Sequence, residues 1–106
     1  MRRYEAILHE FMEAKEKGIA LSSHQLSIQG VKTFTPQEIK QIRVNANMTQ
    51  WMFASVIGVT QKSVEAWEGG RSRPDGAARR MIGLLNANPH FAEDVGIIQA
   101  HSSKTR

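Results

Sequence analysis

At 106 residues the chain is long enough for one domain with a short arm. Hydrophobic residues make up 41% and charged residues 23%, which excludes wholesale disorder, and the absence of cysteine excludes disulfides and thiolate zinc sites. There are 14 Lys and Arg against 10 Asp and Glu, a formal charge of +4, which permits an anionic partner.

No stretch approaches the ~18 consecutive apolar residues of a membrane span. Met1-Arg2-Arg3 leads into Glu5, Glu10, Glu13 and Glu16 rather than an apolar run, so a signal peptide is not expected and the cytoplasm is the expected compartment. Tyr4, Ile7, Leu8, Phe11 and Ala14 repeat at helical spacing and predict an amphipathic helix that Gly18 stops. Residues 19–34 are polar, with Leu26 and Ile28 alternating, and read as a linker or as one short edge strand.

Thr35-Pro36-Gln37-Glu38 is a complete helix start, with an N-cap, a proline at N1 and an acid at N3 to close a capping box. The helix it opens carries Ile39, Ile42, Arg43 and Ala46 on one face and runs to about residue 45–47. Thr49 caps a second, short helix from Gln50 to Ile57. Gly58-Val59 makes a tight turn, Thr60 caps a third helix to Glu68, and Gly69-Gly70 ends it. Arg71 to Pro74 form a loop. Asp75 caps a fourth helix with Ala77, Ala78, Met81, Ile82, Leu84 and Leu85, and Asn88-Pro89 opens a fifth with Phe91, Val95 and Ile98 inward. Charge is uneven along this path. Residues 35–88 hold seven basic and four acidic side chains, and the flanking segments are close to balance.

Two short helices joined by a glycine-containing turn form the pattern of a helix-turn-helix. Ala54 is small where the third helix must cross the second. Gly58 suits a turn needing positive φ, and Phe53, Ile57, Val64 and Trp67 are spaced to close a common core. The outer face of the third helix is left with Gln61, Lys62, Glu65 and Ala66, mostly hydrophilic and long enough to reach base edges.

Residues 35–87 closely resemble the Xre, or Cro/repressor-type, helix-turn-helix family. The resemblance rests on Thr49-Gln50, Ala54, Gly58-Val59, Val64, the Trp67-Glu68-Gly69-Gly70 close and Pro74. The layout of a helical arm, a polar linker, an Xre domain and a closing helix resembles HigA-type antitoxins, autoregulating partners of ribosome-dependent RNA-cleaving toxins. The resemblance implies an all-α fold: a five-helix domain over residues 35–106, preceded by a helical arm and linker over residues 1–34.

It also implies roles for individual residues. Gln50 would grip a phosphate at a helix N-terminus. Thr49, Thr60, Gln61, Lys62, Ser63, Glu65 and Ala66 would meet operator DNA, with Arg71 and Arg73 following its backbone, and Arg43 would pair with Glu68 as a structural ion pair. Arg79 and Arg80 read as a solvated helix face. Trp51 and Met52 depart from the family pattern, and whether they pack on the arm or face a partner stays open. Tyr4, Ile7, Leu8 and Phe11 are either plain core or anchors for a partner protein.

The expected activity is sequence-specific repression as a homodimer on an inverted-repeat operator, with a toxin as protein partner, no cofactor and no membrane association. His9, His24, His90 and His101 show no metal-ligand spacing, so no metal is expected. The rival within the class is a stand-alone or phage-type Xre regulator. An RNA-cleaving toxin would need a strand-rich sequence with His, Lys or Arg clustered around a phosphate, and no such cluster is present, so no enzymatic activity is expected. A pure protein-interaction domain would leave the side chains of the third helix unexplained.

Overall fold

The computed structural model describes residues 26–101. The arm carrying Tyr4, Ile7, Leu8 and Phe11 lies outside them. The chain divides into two units, with the boundary between Gly30 and Val31. The described part of the second is an all-α helix-turn-helix domain: α1 (Pro36–Asn45), α2 (Gln50–Ile57), α3 (Gln61–Glu68), α4 (Gly76–Ala87) and α5 (Phe91–Asp94).

Local chemistry fixes the helix starts. The Thr35 hydroxyl accepts from the Glu38 N–H at 3.1 Å while Glu38 Oε1 accepts from the Thr35 N–H at 2.8 Å, so the capping box is closed in both directions. Thr49, Thr60 and Asp75 cap α2, α3 and α4 by the same contact to the third residue on. Between α1 and α2, Asn47 takes a φ of 58°, a conformation that asparagine tolerates better than most residues. At the end of α2 Gly58 turns to φ 93°, and the Ala54 carbonyl accepts from both Gly58 and Val59.

Packing then follows from the apolar faces. α3 lies against α1 and α2, and α4 closes the domain against α1, α2 and α5. Phe53, Ile39, Ile82, Leu85 and Val64 are the largest fully enclosed side chains, each contributing about 1.5–3 kcal/mol of burial. Trp67 and Ala54 complete the centre, and Phe34 packs on it from just ahead of α1.

Two expectations are corrected. No strand forms at Leu26–Ile28, and no other described residue is in a strand that could supply a ladder partner. Nor does α5 begin at Asn88-Pro89. The Asn88 Oδ1 accepts from the His90 N–H at 2.9 Å in an Asx turn, and Asn88 Nδ2 donates to Asp94. Asn88 therefore organises a turn, and the helix starts at Phe91. It lasts one turn before the chain reverses at Gly96 (φ 83°), so Ala92 is enclosed while Val95 is exposed.

Candidate nucleic-acid interface

The residues that would read DNA share α3 and its two ends. Along its outer face Gln61 and Lys62 are exposed, with Ser63, Glu65 and Ala66 half-buried. None belongs to the core, which α3 supplies through Val64 and Trp67. The first turn is built by hydroxyls: Thr60 Oγ1 accepts from the Ser63 N–H at 3.2 Å and lies 3.1 Å from Ser63 Oγ. One turn on, Gln61 Nε2 donates to Glu65 Oε2 at 3.2 Å.

The far end of α3 closes in a Schellman motif. Gly70 sits at φ 76° and donates to the Trp67 carbonyl, and the Arg71 N–H donates to the Ala66 carbonyl at 2.8 Å. The backbone of Arg71 is thus pinned to the last turn of the helix. Its guanidinium lies over Gly69, where an added Cβ would come within 2.7 Å of Nη1. Arg71 and Arg73 are both exposed. Arg79 is not the freely solvated cation expected of it: it is half-buried, its Nη1 donates to Thr33 Oγ1 at 3.4 Å, and its Nε is enclosed without a hydrogen-bond partner.

One ionic cluster ties the end of α3 to α1 and α2. Glu68 accepts from Arg43 Nε at 2.6 Å and Arg43 Nη2 at 3.0 Å, a bidentate pair whose side chains are 7% and 13% exposed respectively. Arg43 Nη1 also donates to the Met48 carbonyl, and Gln50 Nε2 donates to the same Glu68 at 3.1 Å. The end of α1 and the start of α2 therefore meet on one carboxylate at the end of α3, and the loop before α2 joins them through Arg43. The Gln50–Glu68 link spans 18 positions and no local spacing rule announces it. Thr49, the remaining member of the expected set, caps α2 beside Gln50.

Outside this face, a groove of about 380 Å³ between α2 and residues 97–101 is lined by Trp51, Met52, Ser55, Val56, Ile98 and His101. Trp51 is 63% exposed there. No group of three or more His, Asp or Glu among the described residues is placed to hold a metal ion, and no described helix is long and apolar enough to cross a membrane.

No protein-family model matches the chain. It is 32% identical over 90 residues to the antitoxin HigA-2 of Vibrio cholerae serotype O1, across 81% of this chain and 86% of that protein. It is 27% identical over 92 residues to the HTH-type transcriptional regulator YiaG of Escherichia coli K12, across 87% of this chain and 96% of that protein. Residues 35–106 alone could not supply 81% of the chain, so the first alignment extends into residues 1–34.

Proposed function

Because the chain belongs to the Xre-type helix-turn-helix family that includes HigA antitoxins, we propose that it is a sequence-specific transcriptional repressor and the antitoxin of a HigBA-type module. The observation that carries the DNA-binding part is the outer face of α3, where long polar side chains stand clear of the core and exposed arginines follow at once. Lys62, Arg71 and Arg73 neutralise phosphates, and Gln50 donates to a phosphate at the start of α2. Gln61 hydrogen-bonds a base edge in the major groove; a good bidentate contact of this kind discriminates by about 1–3 kcal/mol.

A single domain makes few such contacts, so the repressor works as a homodimer on an inverted repeat. The surface at α5 supports this: Val95 and Ile97 remain exposed after Phe91 and Ile98 have packed on their own core. The antitoxin part rests on the likeness to a HigA-2 antitoxin through most of the chain. Tyr4, Ile7, Leu8 and Phe11 are its toxin-binding anchors, and the bound toxin is an mRNA-cleaving one. The likeness to YiaG favours a second reading, a transcriptional regulator without a toxin.

The deciding experiment compares the full chain with a form truncated at Lys32. Both are tested for gel shift of the DNA upstream of the gene and for co-purification of the neighbouring gene's product. The antitoxin reading expects both forms to shift DNA and only the full chain to retain the partner. Equal retention removes the arm from the interface, and no retention by either leaves the stand-alone regulator.

A further inference from the structure

We propose that Glu65 is a positioning residue for base recognition: by accepting one N–H of the Gln61 carboxamide, it makes Gln61 select adenine over guanine. The inference rests on α3 being the recognition helix. Gln61 and Glu65 lie one helical turn apart on its outer face, with Gln61 Nε2 3.2 Å from Glu65 Oε2. An ionised carboxylate can only accept, so it must hold the NH₂ end of the amide, and the orientation of the Gln61 head group is chemically determined.

One of the two amide N–H groups is then occupied. What remains is one N–H beside one C=O, the donor–acceptor pair that adenine N7 and the adenine N6 amino group require. Guanine presents two acceptors, N7 and O6, at the same edge. An unconstrained glutamine could turn both amide hydrogens toward them. With one hydrogen held by Glu65 it cannot, and the carboxylate adds a negative charge beside the guanine acceptors. Gln61 is exposed and Glu65 half-buried, and neither is part of the core, so both can be replaced without loss of the fold.

The test is selection from a randomised duplex DNA library by the full chain and by Gln61→Ala, Glu65→Ala and Glu65→Gln, each first checked for an unchanged melting curve. The parent is expected to enrich adenine at one position per half-site, and Gln61→Ala to lose that enrichment. Glu65→Ala should lower the adenine-to-guanine ratio at the same position by about fivefold or more, the scale of one bidentate contact. Glu65→Gln keeps an acceptor oxygen but adds a donor and removes the charge, so its ratio should fall between those of the parent and Glu65→Ala.

An unchanged ratio in Glu65→Ala overturns the inference, as does a Glu65→Gln ratio outside the interval between the parent and Glu65→Ala. So does loss of a cytosine at a different position in Glu65→Ala, which would mean that Glu65 reads a base itself. If the parent enriches a site that Gln61→Ala does not alter, only the role of this pair fails. If the parent enriches no sequence, the DNA-reading function fails with it.

Discussion

Glu68 accepts hydrogen bonds from Arg43 and Gln50, side chains of two other helices, while 7% of its side chain remains accessible. Removing it strands the guanidinium of Arg43, a side chain 13% accessible, with only the Met48 carbonyl left. Breaking a buried pair from one side costs about 3–5 kcal/mol. Glu68→Ala should therefore lower the melting temperature by more than about 10 °C in a domain of this size, as read by calorimetry. Arg43→Lys should also destabilise, since an ammonium cannot reproduce the bidentate contact. Lys62→Ala should do the opposite kind of thing: leave the melting curve alone and reduce the salt dependence of DNA affinity by about one unit of slope, the signature of one lost phosphate contact. A slope equal to the parent's would place Lys62 on a base edge or away from DNA.

Among the elements, two glycines make opposite demands. Gly58 ends α2 at φ 93° with nothing within 4 Å of an added Cβ, so Gly58→Ala meets backbone strain and no clash. The expected cost is about 1–2 kcal/mol. Gly76 opens α4 at an ordinary φ, and an added Cβ would find only ordinary contact with Arg79, so Gly76→Ala should stabilise by about 0.4–1 kcal/mol. Urea denaturation of the two variants should shift the midpoint in opposite directions. Such starts and stops are legible in sequence because their chemistry spans three to five residues: Thr35 with Glu38, Gly58 after Ala54, Gly70 before Arg71. The start of α5 was not legible, because Asn88-Pro89 is equally a helix opening and an Asx turn. The contact between Asn88 and Asp94 is part of the turn that forms, six positions apart. The outward turn of Val95 depends in the same way on the reversal at Gly96. At the interface, the sequence marked which side chains face outward on α3. It could not show that Gln50 and Gln61 each have one amide hydrogen already committed to a glutamate.

For the whole molecule, the excess positive charge lies in residues 35–88, which contain every α3 and loop residue assigned to DNA. A dimer meeting about six to ten phosphates should lose ~10³–10⁵-fold in affinity between about 50 and 200 mM salt, measured by anisotropy at stepped salt. Footprinting should show two protected half-sites about 34 Å apart, one helical turn, as two-fold symmetry requires. A single asymmetric footprint would remove the dimer. Phe34 and Thr33 already contact the domain ahead of α1, so the truncation at Lys32 preserves both.

The two indoles of the chain lie in opposite surroundings, Trp67 at 5% exposure in the core and Trp51 at 63% on the surface beside Gln50. Their fluorescence should therefore separate into a blue-shifted, poorly quenched component and a red-shifted one that acrylamide reaches freely. Trp51→Phe would leave an emission that reports only on unfolding, through Trp67. Subtracting it from the parent signal gives a label-free optical probe of whatever approaches the first turn of α2. Binding and folding could then be followed at two wavelengths in one cuvette, with no dye attached to protein or DNA.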